Sequence, residues 1–169
     1  MNQTAVDTRP AVPDTETDAE VRIERVEAQR LWRLRHKLLR PHQAVDQCRF
    51  EGDEHRDAGH YAAFAGTRMV GIASVFHEPH PDIADRSGEQ QWRLRGMATT
   101  EAVRGQGIGG LLLSAAIDHA TTRHGRVIWC NARTPAIGFY ARYGFEAISE
   151  EFEIEPIGPH VVMRRLHTP

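Results

Sequence analysis

A glycine-rich loop, RGQGIGG at residues 104–110, has the residue types best suited to binding an anion. Glycine allows positive φ and a close approach of the backbone to a ligand. The first amides of a helix have no partner within that helix, and they point toward any bound anion. Arg104 adds a charged donor beside them. We therefore predict a diphosphate-binding loop formed by Arg104, Gly105, Gln106, Gly107, Ile108, Gly109 and Gly110.

Other interpretations of this loop are open from the residues alone. Gly105, Gly107 and Gly110 match the GxGxxG pattern of dinucleotide-binding folds, so an NAD(P)-binding oxidoreductase is one candidate. In that fold the glycines follow their strand directly, whereas Thr100–Arg104 intervenes here, and the next strand runs into Asn131 rather than an acidic residue. The glycines could also build only a tight turn. No Gly-Lys-Ser/Thr sequence occurs, which excludes a Walker-type loop.

The elements that position the loop follow from hydropathy periods and turn residues. Because strands and helices alternate along the chain, we predict an α/β fold with a mixed (α+β) sheet. The predicted elements are a strand from Val21, a helix at Glu27–Arg40, a hairpin of Tyr61–Ala65 and Met69–Phe76, a strand at Gln91–Thr99, a helix at Gly107–His124 that ends before Gly125, a strand at Val127–Cys130, a short helix at Thr134–Tyr143, and closing strands at Phe145–Phe152 and His160–Leu166.

Length and composition limit the classes of protein to consider. A chain of 169 residues with 40% apolar and 26% charged residues is typical of one globular domain. A net charge of -2 provides no overall field for nucleic acid. Two cysteines do not make a disulfide framework, and no apolar run reaches the roughly 20 residues that span a bilayer. We predict a cytoplasmic protein that does not bind nucleic acid or a membrane.

The N-terminal segment differs from the rest of the chain. Residues 1–20 contain no Leu, Ile or aromatic residue, and are rich in Thr, Pro, Asp and Glu. Such a segment cannot bury enough apolar surface to offset its ordering entropy. We predict a disordered leader over residues 1–20 and a single domain over residues 21–169.

Two sequence blocks give the chain a family resemblance. The segment LRGMATTEAVRGQGIG (residues 94–109) resembles the central strand and the R/Q-x-x-G-x-G/A acetyl-CoA signature of the GNAT superfamily of N-acetyltransferases. The segment AIGFYARYGF (residues 136–145) is similar to a second block of that family. Short segments at 40–43 and 157–160 are similar to ElaA-like bacterial members. Glu101 and Arg133 depart from the family, which often has Pro and Asn there.

The resemblance implies a fold, a reaction and roles for named residues. It implies a central sheet of about six to seven strands flanked by helices, and direct attack of a primary amine on acetyl-CoA. The backbone of Met97, Ala98 and Thr99 would bind the pantetheine arm, and Tyr140 would protonate the CoA thiolate. A non-catalytic CoA-binding module with the same fold is an alternative. The sequence leaves open the acceptor, the acyl chain length and whether the chain is a monomer or a homodimer.

The sequence does not identify the base that deprotonates the amine. Glu89, His160 and His77 are candidates, although each is more typical of a surface or hydrogen-bonded polar residue. His77 and His80 lack the further ligands of a zinc site, so no metal is expected. The acidic loop residues Glu51, Asp53, Glu54 and Asp57 are expected to be solvated. If they lay at the acceptor entrance, they would favour a cationic amine.

Overall fold

A computed structural model of the chain describes residues 20–83 and 90–167. The predicted leader lies outside these residues except for the exposed Glu20. In chain order the helices and strands of the described part are β1 (Val21–Arg25), α1 (Ala28–Leu39), β2 (Gly59–Ala65), β3 (Arg68–His77), β4 (Gln91–Thr99), α2 (Ile108–Thr121), β5 (Val127–Arg133), α3 (Ile137–Ala141), β6 (Glu146–Ala147), β7 (Phe152–Ile154) and β8 (Gly158–Leu166).

The strands form one mixed sheet, as predicted. Its order is β1-β2-β3-β4-β5-β8-β6, with β7 also paired to β8. The β4–β5 pairing is parallel, and the other pairings of the described strands are antiparallel. The single closing strand predicted at Phe145–Phe152 is two short strands instead. Between them the Ser149 hydroxyl accepts a hydrogen bond from the Val162 amide at 2.8 Å. A side chain therefore replaces a backbone partner, which interrupts the pairing with β8.

Two helices cover opposite faces of the sheet. Leu112, Leu113 and Ala116 of α2 are buried in a cluster that includes Ala63. Leu31 of α1 packs instead with Ala62 and other side chains of β2 and β3. Neighbouring residues of a strand point to opposite faces, so Ala62 and Ala63 place α1 and α2 on different sides. The sheet therefore lies between two apolar cores.

The end of α2 differs in detail from its prediction. The helix ends at Thr121 rather than His124, and His124 itself adopts a positive φ of 63°. Gly125, which follows the helix, does not have a positive φ. A Cβ there would lie 2.7 Å from both the Trp92 ring and the carbonyl oxygen of Ala120, so this glycine is required by close packing.

The parallel pair β4–β5 separates partway along its length. Pairing covers Gln91↔Val127, Trp92↔Ile128 and Arg93↔Trp129, while β4 continues to Thr99 and β5 to Arg133. A bulge lies in β4 just after the last pair, where Gly96 has a φ of 65° and the register with β3 shifts. A bulge bends its strand and increases the local twist. The carboxyl halves of β4 and β5 therefore diverge and leave a wedge between them.

Candidate active site

The wedge between β4 and β5 opens into a cavity of about 440 Å³. Its walls combine backbone from the unpaired half of β4, Cys130 and Asn131 of β5, and Tyr140 of α3. The end of α1 and the β7–β8 region complete the lining, where Leu38 and His160 contribute. The cavity thus connects the predicted diphosphate loop, which contributes Arg104, with a second region built from distant parts of the chain.

The N-terminus of α2 has the geometry expected of an anion site. Gly107 is the N-cap residue with a φ of 80°, and Gly105 has a φ of 77°. The amide of Leu111 donates to the Gly107 carbonyl at 3.2 Å. The amides of Ile108 to Gly110 precede that bond and have no acceptor within the helix. A Cβ on Gly105 or Gly107 would meet no atom within 4 Å, so these glycines are needed for their backbone conformation.

The last two glycines of the loop differ in whether packing requires them. A Cβ on Gly109 would lie 3.5 Å from the Phe139 ring and 3.7 Å from the Met97 methyl carbon. A Cβ on Gly110 would overlap the hydroxyl of Tyr143. Gly110 is itself buried. The amides of both residues suit an anion, whereas only the missing side chain of Gly110 is required by packing, because a Cβ on Gly109 would make ordinary contacts.

The second half of β4 presents backbone groups to the wedge. Ala98 and Thr99 pair with Ile72 and Gly71 of β3 on one side. On the other side β4 has no ladder with β5 beyond Arg93. Successive amides of a strand point to alternate edges, so part of the segment that includes Met97 offers donors and acceptors to a ligand in the wedge. An extended amide-containing chain could pair there as an additional strand does.

Tyr140 places a hydroxyl at the apolar wall of the wedge. The hydroxyl donates to the sulfur of Met97 at 3.9 Å, a weak hydrogen bond. Burial raises the pKa of Tyr140, and the nearby Cys130 thiol adds a smaller effect of the same sign. Burial also raises the pKa of Cys130 to about 12. Both groups therefore carry their protons at neutral pH, in agreement with Cys130 being a small buried hydrophobic residue rather than a nucleophile.

A buried polar network lies on the α1 side of the sheet. Arg35 is 0% exposed and binds Asp53 through two hydrogen bonds of 2.6 and 2.9 Å. It also donates to the Ser74 hydroxyl at 2.8 Å. His60 contacts the same hydroxyl at 3.0 Å and the Asp53 carbonyl at 2.9 Å. The guanidinium lies 4.0 Å from the centre of the Phe50 ring. This network joins α1, the following loop, β2 and β3.

The network corrects the prediction that the acidic loop is solvated throughout. Asp53 is only 4% exposed, whereas Glu51 and Glu54 are exposed as expected. Burial by itself raises the pKa of Asp53, but the hydrogen bond and charge of Arg35 outweigh it and the pKa is lowered. Asp53 is therefore an ionised structural residue. Arg35 was missed by the sequence interpretation, although it follows Leu31 by four residues on the buried stripe of α1.

The three candidates for the base have different surroundings. Glu89 lies outside the described residues. His77 ends β3 and its ring lies 5.3 Å from the Trp92 ring, on a second cavity. His160 is 5% exposed and lines the wedge cavity. Its Nδ1 lies 2.7 Å from the Gly158 carbonyl, which can only accept, so Nδ1 carries the proton and Nε2 keeps its lone pair in the neutral ring.

Metal chemistry and membrane insertion find no support in residues 20–83 and 90–167. No cluster of three or more His, Cys, Asp or Glu side chains with metal-binding geometry occurs there. None of the helices in that part of the chain combines the length and the hydropathy needed to cross a bilayer.

Comparison with known proteins identifies the family. The Acetyltransferase (GNAT) family model matches residues 23–145, which include the glycine loop and Tyr140. The chain belongs to the GNAT family. It is 37% identical over 133 residues to the uncharacterized N-acetyltransferase YitI of Bacillus subtilis (strain 168), a match that covers 78% of this chain and 87% of YitI. The protein is therefore an acyl-CoA-dependent acetyltransferase, which uses acetyl-CoA as co-substrate as GNAT proteins do, and the NAD(P)-dependent oxidoreductase alternative is set aside.

Solved GNAT structures share the fold. A GNAT acetyltransferase from Staphylococcus aureus MU50 has a TM-score of 0.67 at 17% identity, covering 87% of this chain and 99% of its own. Escherichia coli ElaA has a TM-score of 0.62 at 19% identity, covering 86% and 99%. At such identities the likeness concerns the fold, and it agrees with the predicted mixed sheet flanked by helices.

Proposed function

We propose that the chain transfers the acetyl group of acetyl-CoA to an amine, and that Tyr140 protonates the departing CoA thiolate. The observation that supports this most is the wedge itself. One end meets the unpaired amides of α2, the middle offers free β4 backbone, and the wall carries a hydroxyl bound only weakly to the Met97 sulfur. These features occur in the order required by a diphosphate, an amide-containing arm and a thioester.

The residues proposed to hold acetyl-CoA supply binding and orientation. The amides of residues 106–110 and the Arg104 guanidinium would contact the diphosphate, because helix N-termini and arginine both favour anions. The β4 backbone of Met97, Ala98 and Thr99 would pair with the pantetheine amides. When bound, acetyl-CoA supplies an acyl carbon that an amine can attack. Fixing it beside the amine makes the encounter effectively intramolecular.

Tyr140 can still serve as the proton donor although burial raises its pKa. The pKa of an ordinary tyrosine is about 10 and that of an ordinary thiol about 8.5, so the transfer would be uphill in water by a modest amount. In the wedge, however, burial raises the pKa of thiols as well, since Cys130 reaches about 12. A thiolate released in the same surroundings would be a correspondingly stronger base. Proton transfer from Tyr140 would then stay uphill by only a modest amount, as it is in water.

His160 is the best placed of the candidate bases. An alkylamine with a pKa of about 10 is mostly protonated at neutral pH and must lose a proton before it attacks. The Nε2 lone pair of His160 belongs to a buried ring on the cavity wall, and the Gly158 carbonyl fixes its tautomer. A histidine held in one tautomer can accept the proton directly or through a water molecule. We assign this step to His160.

Release of free CoA thiol in the presence of an amine panel tests the proposal. Acetyl-CoA alone should raise the melting temperature, because a ligand of the native state at 100 times its Kd stabilises by about 2.7 kcal/mol. NAD(P)H should not. A working enzyme would then release thiol with at least one amine, and the amine would gain one acetyl group by mass. Stabilisation without thiol release from any amine would indicate a non-catalytic CoA-binding module instead.

A further inference from the structure

The wedge cavity is lined by positive charge alone. Among the described residues its ionisable lining side chains include five arginines and no carboxylate. These arginines come from α1, β4, the glycine loop and β5, and are Arg40, Arg93, Arg95, Arg104 and Arg133. Acetyl-CoA is itself an anion, so part of this charge suits the co-substrate. Arginines that acetyl-CoA does not contact would be available to the acceptor.

Three of the five arginines belong to the end of the cavity opposite the α2 N-terminus. Arg93 and Arg95 precede the bulge of β4, whereas the diphosphate loop follows the end of that strand. At about 3.3 Å per residue, four residues of strand from Arg95 to Thr99 extend about 13 Å before the loop begins. Arg40 caps α1, and both Arg40 and Arg95 lie against the Phe50 ring, at 5.0 and 4.1 Å from its centre.

These arginines differ in how their charge is balanced. Arg93 forms an ion pair of 2.7 Å with Glu78. Arg40 donates only to the neutral amide of Gln43, at 3.2 Å. Arg95 has no hydrogen bond or ion pair within the part of the chain that the structure describes. Its guanidinium lies against the Phe50 ring. Two half-buried guanidinium groups therefore line the cavity without an anionic partner among the described residues.

Arg95 nevertheless keeps its charge under physiological conditions. Burial lowers its pKa to about 10, with smaller contributions in the same direction from Arg93 and Arg40 and an opposing one from Glu78. A group with that pKa is still protonated at neutral pH. A half-buried charge of this kind is costly unless a partner of opposite sign binds it.

The neighbouring cavity does not provide that partner. Arg93 and Arg95 form a wall shared with a second cavity, whose lining includes Glu51 and Glu78. Glu78 already pairs with Arg93, and Glu51 is exposed and makes no ion pair with Arg95 in residues 20–83 and 90–167. Among the residues that the structure describes, none neutralises the charge of Arg95, which leaves it available to a ligand.

We propose that the acceptor is an amine that also carries an anionic group, a carboxylate or a phosphate, which Arg95 and Arg40 bind at the α1 end of the wedge. This inference rests on the proposed acetyl transfer and defines the substrate class. The anionic group would anchor the acceptor while its amine faces the thioester and His160. The same charges oppose polyamines and other acceptors with several positive groups, which reverses the expectation from the acidic loop, because Asp53 of that loop is bound by Arg35.

Matched acceptor pairs test this proposal in the full chain. The common L-amino acids would be assayed beside their α-amides, and O-phosphoethanolamine beside ethanolamine, by thiol release with saturating acetyl-CoA. The anionic member of at least one pair should have a kcat/KM higher by about 10-fold or more, the effect of one charged hydrogen bond. A preference for phosphate over carboxylate, or the reverse, would identify the group. A preference for neutral or cationic members would overturn the inference while leaving acetyl transfer intact.

Arg95→Ala, with Arg95→Lys and the exposed Arg33→Ala as controls, separates binding from structure. Arg95→Ala should raise KM for the anionic acceptor about 10-fold more than it raises KM for the neutral partner or for acetyl-CoA. Arg95→Lys should restore part of the loss, and Arg33→Ala should match the wild type. An equal loss for both members of a pair would indicate a structural role and contradict the proposal.

A binding measurement keeps the inference independent of turnover. Calorimetry on the CoA-saturated wild-type chain would compare N-acetyl amino acids with their N-acetyl amides, and N-acetyl phosphoethanolamine with N-acetylethanolamine. Tighter binding of an anionic product, lost in Arg95→Ala, supports the inference even if no acceptor in the panel is acetylated. Equal or weaker binding of all the anionic products overturns it. The absence of acetylation alone would count against the proposed function.

Discussion

Arg35 and Arg95 lie against the same ring, that of Phe50, at 4.0 and 4.1 Å from its centre, yet their surroundings are opposite. Arg35 is fully buried and bound by Asp53 and Ser74. Arg95 reaches the wedge cavity and has no charged partner among the described residues. Arg35 thus stabilises the fold through bonds within the protein, whereas Arg95 is available to bind a ligand.

The different surroundings of Arg35 and Arg95 indicate that one charge stabilises the fold and that the other can bind a ligand. A buried ion pair has no net charge, and removing one member leaves the other uncompensated. An unpartnered charge in a cavity has the opposite property, because removing it relieves a desolvation cost and affects only what binds there. Stability and substrate binding should therefore respond to different arginines.

The largest expected effect is the loss of stability in Arg35→Met. The change leaves the Asp53 carboxylate buried without its main partner, so the free energy of unfolding should fall by about 3–5 kcal/mol. Urea denaturation would measure it, with Arg95→Met expected to change stability by less than about 1 kcal/mol. Should Arg35→Met fail to fold, Asp53→Asn provides a milder disruption of the same pair. Equal stability of the Arg35 and Arg95 variants would remove the distinction.

Tyr140→Phe should lower kcat by about 100-fold, a typical contribution of general acid catalysis. The hydroxyl makes only a weak hydrogen bond with Met97, so its loss should leave stability and acetyl-CoA affinity nearly intact. Steady-state kinetics and calorimetry would measure the two effects. Tyr143→Phe, in the turn that follows α3 and packed against Gly110, is the matched control. An unchanged kcat would exclude Tyr140 as the acid.

Gly107→Val should weaken acetyl-CoA binding by about 10-fold or more in a folded protein. A β-branched residue strongly disfavours the φ of 80° at this N-cap, so the loop would reorganise and its amides would lose their alignment. Gly107→Asn is the control, because asparagine tolerates the left-handed region. Calorimetry with acetyl-CoA would compare them. Wild-type affinity in a folded valine variant would contradict the loop assignment.

The smallest expected effect is a decrease of stability in mild acid. Burial lowers the pKa of His60 in the network, and that of His119 between Tyr61 and Asp57, below the usual value near 6.5. Unfolded chains therefore take up protons first as the pH falls, and stability present above about pH 6.5 is lost below it. Melting temperatures from pH 7.5 to 5 would show this. His60→Asn should reduce the slope, whereas Arg95→Ala should not.

Local sequence patterns predicted the fold and the position of the glycine loop at the start of α2. The hairpin, the bounds of β4 and the start of α2 all depend on periodicity and turn residues that lie within a few positions of one another. The glycine loop is equally local, since its φ values and free amides arise from adjacent residues. Residue roles in the loop and at Tyr140 stay predictions that the proposed variants test.

The charged network could not be predicted in the same way. Arg35 meets Asp53 and Ser74 across separations of 18 and 39 residues, and nothing near any of them in sequence indicates the pairing. The one sign in the sequence that Arg35 is buried was its position on the apolar stripe of α1. The burial of Asp53 within the acidic loop could not be predicted either, because the composition of the loop shows how many carboxylates it has but not which of them the core binds.

The last residue pair before the strands diverge has a practical consequence. Trp129 lies opposite Arg93 at that point, with its indole N–H bound to the Glu78 carbonyl at 2.8 Å and the Arg93 guanidinium 4.7 Å from its ring centre. Trp129 itself is buried, but Arg93 lines the wedge cavity, so a ligand that contacts Arg93 should alter the electric field at the indole. Intrinsic fluorescence emission should therefore shift on titration with acceptor, which provides an optical readout without any attached dye.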